Sequence, residues 1–213
     1  MGTLLNRRRY IGGNSALPYD AEVEYLSFDG NQYIDTLVTP NETIEAELDV
    51  SISNKQGSTG LLSARNSNSS SQYSSNALSL SIWTNGSRIA MNDYNYDSGW
   101  VGTITLNTRF VTSIRERSLY LNSTLVAQST TTSSFSFSVT YGLLRGHLLN
   151  DKWDSRKGVS GNLYACKIWK NDVVARNFIP VRKDGIGYMY DKVSGQLFGN
   201  VGTGDFILGS DKT

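Results

Sequence analysis

The chain has 213 residues, of which 38% are hydrophobic and only 18% charged, and 20 Lys and Arg against 19 Asp and Glu leave a formal charge of +1. That balance supplies no global field toward nucleic acid or an anionic membrane, and no apolar run reaches the ~18–20 residues of a membrane-spanning helix. A single cysteine, Cys166, and a single histidine, His147, exclude an internal disulfide, a cysteine zinc cluster and a multi-histidine metal site.

Residues 1–20 stand apart from the rest. Arg7, Arg8 and Arg9 are adjacent and are followed by Tyr10 and a Gly-Gly pair, with only Leu4, Leu5 and Ile11 able to contribute to a core. The stretch from Ile11 to Ser15 is too short and polar to be the 7–15-residue apolar centre of a signal peptide. No export route is therefore visible, and a lone thiol suits a reducing cytoplasm. Residues 1–20 are expected to form a basic anchoring arm. Arg7, Arg8, Arg9 and Tyr10 would dock on an acidic groove of a partner, because Arg presents forked donors to carboxylates. Three arginines are a weak footprint for nucleic acid.

Residues 21–213 read as one domain with a period of two. Ile44, Ala46, Leu48, Val50 and Ile52 alternate with Glu45, Glu47, Asp49 and Ser51, which predicts a half-buried strand; its early position suggests a sheet edge. Ser67 to Ser75 is a Ser- and Asn-rich loop that cannot pack a core. Ala77 to Trp83 alternates again, ends at the hairpin signal Asn85-Gly86 and returns as Arg88 to Met91. Phe110 to Ile114 and Ser118 to Leu121 form a second pair. After a polar connector from Thr130 to Ser134, Phe135, Phe137 and Val139 alternate with serines. Leu163 to Trp169 is apolar on both faces and predicts a central strand; Asn171-Asp172 is a turn, and Val173 to Ile179 the next strand. Gly199 to Gly204 lacks a phosphate-loop lysine and reads as a hairpin turn. No segment carries an amphipathic helix of three turns, so the spacing of strands and turns predicts an all-β sandwich or barrel.

Candidate chemistry is sparse. Glu45, Glu47 and Asp49 share one face of a strand, as the acids of jelly-roll β-glucanases do, but their order is not the glucanase order. A solvated face balanced by Lys or Arg on a neighbouring strand is the better reading. His147 has no nucleophile elbow to serve, and Cys166 lies in an apolar strand as a small buried hydrophobe. Trp83, Asn92, Tyr94, Tyr96 and Trp100 gather aromatic rings and amides within one stretch, which suits stacking on sugar C–H faces and hydrogen bonding to hydroxyls. Asp93 and Asp97 in the same stretch are weak candidates for Ca²⁺.

Several runs carry a family resemblance. Leu26-Ser27-Phe28-Asp29-Gly30-Asn31-Gln32-Tyr33-Ile34-Asp35-Thr36 resembles the opening of concanavalin A-like, laminin-G-type jelly-roll domains in phage and prophage structural proteins of gut bacteria (Bacteroides-type, crAss-like phages). Ser118 to Val126, Gly161 to Trp169, Phe178 to Arg182, Gly187 to Phe198 and Asn200 to Phe206 resemble later motifs of the same domains, so the likeness spans residues 22–209. The resemblance implies a two-sheet antiparallel jelly-roll sandwich with an extended N-terminal arm. It also implies a non-enzymatic virion component, such as a capsid auxiliary, head-fibre or tail-associated protein, made in the bacterial host cytoplasm. Partners would be other virion proteins and further copies of the chain, with host or mucosal glycans as the outward ligand and no cofactor, nucleic acid or membrane. A carbohydrate-binding adhesion module is the alternative, and a glycoside hydrolase ranks below both. Fold alone does not choose among them.

Overall fold

Along the strand Glu45–Ile52, the alternation in sequence becomes a division between two environments. In the computed structural model, which describes residues 17–54, 58–66, 77–83, 87–155 and 158–213, Ala46, Leu48, Val50 and Ile52 are buried, while Glu45, Glu47 and Asp49 lie half-buried on the opposite face. Arg7, Arg8, Arg9, Tyr10, the loop of residues 67–75, the Asn85-Gly86 turn and the Trp83 side chain lie outside the described residues.

Two sheets pack face to face. The larger runs in the order Thr124–Gln128, Ser118–Leu121, Arg109–Arg115, Glu45–Ile52, Gly161–Lys170, Val173–Lys183, Ile186–Asp191, Gln196–Phe198. Ala21–Glu22 adds to Val173–Lys183, and Leu26–Phe28 pairs with both Gly161–Lys170 and Ile207–Leu208. The smaller sheet runs Lys152–Trp153, Gly146–Leu148, Ser58–Arg65, Ala77–Trp83, Arg88–Tyr94, Tyr96–Asp97. Every pairing is antiparallel except that of Gly146–Leu148 with Ser63–Arg65. Among the described residues there is no helix. The core between the sheets holds Leu26, Leu48, Leu80, Met91, Cys166 and Phe178, each at most 1% exposed.

Much of the predicted order is present. Gly161–Lys170 is central, with Glu45–Ile52 on one side and Val173–Lys183 on the other. Asn171 and Asp172 turn the chain at φ of 52° and 62°, and Arg109–Arg115 pairs with Ser118–Leu121.

Three expectations are corrected. Glu45–Ile52 is not at an edge but lies between Arg109–Arg115 and Gly161–Lys170. Both of those strands come later in the chain, and chain order does not set sheet order when long connections return to an early strand. Phe135, Phe137 and Val139 are buried as their alternation requires, but this segment forms only an isolated bridge, Asn41 to Ser136. Its Phe135 N–H donates to the Glu42 carboxylate and its Phe137 N–H to the Pro40 carbonyl, so period two here records packing without a ladder. Residues 199–204 do not close a hairpin, because Ile207–Leu208 pairs with Leu26 and Ser27 rather than with Gln196–Phe198. Instead the loop presses on the Asn31–Tyr33 segment: a Cβ at Gly202 would lie 1.9 Å from the Asn31 carbonyl oxygen.

The smaller sheet is covered on both faces. Ala77, Leu78, Ser79, Leu80, Ser81 and Ile82 are all buried in succession. On its polar face the Ser79 hydroxyl donates to the Asn92 side-chain oxygen at 2.9 Å. The outer face of the larger sheet, by contrast, carries half-buried and exposed strand side chains such as Glu45, Glu47, Asp49, Arg109 and Arg115.

Candidate binding surface

The strand register sets the layout of that outer face. Opposite Glu45, Glu47 and Asp49 stand Trp169, Lys167 and Ala165 on one side. On the other side Ser113 stands opposite Glu47 and Val111 opposite Asp49. Arg109 grips Asp49 with a fork, Nε at 2.7 Å and Nη2 at 2.6 Å, and its guanidinium lies 4.1 Å above the Tyr164 ring. The Asp49 hydrogen bond raises the Arg109 pKa above the usual guanidinium value. Arg115 pairs with Glu47, and the Glu116 N–H donates to Glu45 at 3.1 Å. All three carboxylates of the ladder are thus engaged as acceptors, as a solvated face would have them. Exposed pairs of this kind stabilise by only ~0–1 kcal/mol; their effect here is to hold the side chains in one arrangement.

Tyr164 meets Tyr25 edge-on, with centroids 5.6 Å apart and planes at 67°. Together with Glu24, Arg109 and Lys212 they line an open groove of about 430 Å³. Further along the face, Glu45, Glu47, Arg115 and Tyr120 contribute to a second groove of about 310 Å³. Lys167 places its ammonium 4.7 Å from the Trp169 ring centroid. Tyr25 and Tyr164 were not predicted as site residues. The signal available for Tyr164 was its outward place in the alternation of Gly161–Lys170; a strand whose outward residues include Tyr and Trp reads as merely apolar until its neighbours are known.

The aromatic set read from the sequence does not converge on one patch. Trp83 stands opposite Arg88 and Tyr94 opposite Ala77, six residues apart along the strand, or roughly 20 Å. Asn92 is buried and holds Ser79. Tyr94 stacks on Phe135 at 5.1 Å with planes 6° apart, and Tyr96 packs against the core. Trp100 lies near the Trp83 end, where its carbonyl accepts from Arg88. Residues clustered along a strand are spread in space by its 3.3 Å rise and split between its two faces. Asp93 is buried and paired by Arg117 at 2.7 Å, whereas Asp97 is exposed and accepts from the Gly99 N–H.

The nucleophile and base candidates are likewise held in packing. His147 is buried, stacks on Trp153 at 4.3 Å and hydrogen-bonds Thr140 and Asp151. Cys166 is buried, and burial pushes its thiol pKa well up.

No protein-family profile and no curated protein matches the chain, but solved structures do. A "putative carbohydrate binding protein" from Bacteroides ovatus aligns over 90% of this chain and 61% of its own length, at 7% identity and a TM-score of 0.56. The Trypanosoma rangeli sialidase aligns over 68% of this chain and 25% of its own, at 13% identity and a TM-score of 0.44. This chain therefore spans less than two thirds of either protein. At its identity the Bacteroides ovatus structure speaks to fold alone: this chain is an all-β, two-sheet sandwich.

Proposed function

We propose that the chain is a non-enzymatic carbohydrate-binding sandwich and that the outer face of its larger sheet takes the sugar. The observation that carries this reading is the groove of Tyr25, Tyr164 and Arg109. Tyr25 and the part of Tyr164 not covered by the Arg109 guanidinium offer apolar surface to sugar C–H groups. Glu24 and Lys212 add an acceptor and a donor for hydroxyls. Asp49 fixes the guanidinium over Tyr164, so part of the site is ordered before any ligand arrives. The carbohydrate-binding assignment of the Bacteroides ovatus protein supports the reading. The engagement of Glu45, Glu47 and Asp49 by cations and a backbone N–H argues against a hydrolase, which needs one carboxyl group to act as an acid beside another that attacks or activates water. Calorimetric titration with oligosaccharides tests the proposal. Tyr164→Ala should weaken binding about tenfold, through the loss of ring contact, with circular dichroism confirming the fold; equal binding by both proteins would overturn it.

The motif resemblance across residues 22–209 favours a second, compatible reading, in which the sandwich is displayed on a phage particle. Arg7, Arg8, Arg9 and Tyr10 would then dock on a capsid, fibre or tail protein. A chain lacking residues 1–20 should fold and bind sugar but fail to join particles; normal incorporation would remove the arm from the account.

A further inference from the structure

Several charges on the outer face are paired with one another, while Glu24, in the Tyr25–Tyr164 groove, makes no ion pair among the described residues and adds a negative charge there. Arg109 is forked onto Asp49, Arg115 is paired with Glu47, and Lys212 lies 3.9 Å from Glu22. Lys167 makes no ion pair within 4 Å among the described residues, but it stands opposite Glu47 and sits over Trp169. A carboxylate or sulfate brought to this face would have to displace a resident carboxylate from its cation or be held beside one. Juxtaposed like charges cost heavily in specificity. A hydroxyl faces no such cost, because paired carboxylates and guanidinium groups retain acceptor and donor capacity at their edges.

The two grooves also share this face. They are joined by Arg109–Arg115: Arg109 lines the first, and Ser113, four residues or roughly 13 Å further along the strand, lines the second. Tyr164 and Tyr25 mark one end, and Tyr120, opposite Ser113, marks the other. Arg109, held by Asp49, belongs to the first groove, and Glu47 with Arg115 to the second.

From this arrangement we infer that the ligand is a neutral, linear oligosaccharide laid along the face from the Tyr25–Tyr164 groove to Tyr120. Uronic or sulfated glycans are disfavoured by the paired charges. The inference rests on the glycan-binding reading above and names its ligand class.

The full chain is titrated with neutral gluco-, xylo- and manno-oligosaccharides of about two to six units, and with oligogalacturonides and sulfated oligosaccharides of matching length. Neutral ligands should gain affinity with length. Their affinity should change less than about twofold between low and high salt, since no net charge is exchanged, and anionic counterparts should bind at least about tenfold more weakly. Tyr120→Ala should weaken the longest neutral ligand while leaving the disaccharide unchanged, whereas Tyr164→Ala should weaken both. Asp49→Asn, which releases Arg109, should raise affinity for the anionic series and introduce salt dependence, with circular dichroism confirming the fold. Preferential, salt-sensitive binding of anionic glycans by the unaltered chain would overturn the inference and leave the glycan-binding reading standing. Indifference of every ligand length to Tyr120→Ala would overturn the extended mode. Binding of none of the glycans would overturn the glycan-binding reading itself.

Discussion

Tyr141 gives a sharp test of the core. Its side chain is 0% exposed, and its backbone is tied in on both sides: its N–H donates to the Val38 carbonyl at 2.8 Å, and its carbonyl accepts from the Thr36 hydroxyl at 2.8 Å. The phenolic oxygen has no hydrogen-bond partner in the protein. A buried, unsatisfied polar group costs ~1–3 kcal/mol. Tyr141→Phe removes that group and keeps the ring, and the void left by one oxygen costs only a few tenths of a kcal/mol at ~24 cal/mol per Å³. The variant should be more stable by about 1–2 kcal/mol. A domain of this size gains ~2–4 °C in Tm per kcal/mol, so the shift should be about 2–8 °C. Urea denaturation at neutral pH, with an unchanged slope, measures the difference. Alkali provides a second readout. Burial, followed by the nearby Asp93 and Cys166, raises the phenol pKa well above its ordinary 10.0. The resulting stability is complete below pH 10 and falls as pH climbs past it, because the unfolded chain ionises first; Tyr141→Phe should flatten that decline. A loss of more than about 1 kcal/mol in the variant would refute the reasoning, since it would mean the hydroxyl is satisfied, for instance through a buried water.

Cys166 should resist thiol reagents in the native state and react at the rate of unfolding, because burial suppresses its thiolate; rapid labelling of the folded chain would contradict its placement. Its raised pKa adds stability below the ordinary thiol value of 9.0 that is lost at higher pH, so a Cys166→Ala variant should lose less stability than the unaltered chain between neutral pH and about pH 10. Arg117→Leu should destabilise by about 3 kcal/mol, as it strands the buried Asp93 carboxylate, and Asp93→Asn in the same chain should recover part of that loss in urea melts. Gly30→Ala should cost at least about 2 kcal/mol, because φ is +96° and the new Cβ would lie 2.3 Å from the Gly158 carbonyl oxygen; a neutral result would show that this close approach can relax.

What could be read in the sequence follows the range of the interaction responsible. Strand existence is local, set by alternation and turn chemistry, and so Glu45–Ile52, Ala77–Trp83 and the Asn171-Asp172 turn were all legible. Sheet order is not local, which is why the central place of Glu45–Ile52 was missed. The buried serines of Ala77–Trp83 illustrate a different limit. Their polarity suggests a wet face, yet Ser79 and Ser81 are covered, and their hydroxyls are satisfied by Asn92 and by each other. The balancing of Glu45, Glu47 and Asp49 by basic neighbours was anticipated as a class of interaction, but Arg109 and Arg115 could be named only once the register was known.

The same non-local pairing explains why the candidate site escaped a reading by residue type. Tyr25, Asp49, Arg109 and Tyr164 come from four separate stretches of chain, and no window of sequence contains two of them. They meet because Glu45–Ile52 pairs with both Arg109–Arg115 and Gly161–Lys170, while Leu26–Phe28 adds to the far side of the latter. A local cluster such as Asn92 to Tyr96 looks richer on paper, but it straddles the end of Arg88–Tyr94 and its groups are taken up by packing: Asn92 is buried and holds Ser79, and Tyr94 stacks on Phe135. Side chains contributed one per strand from adjacent strands can all point outward and are held by ladders on both sides. In this fold a preorganised face is assembled across the sheet rather than along the chain, and the groove at Tyr25, Tyr164 and Arg109 is built in that way.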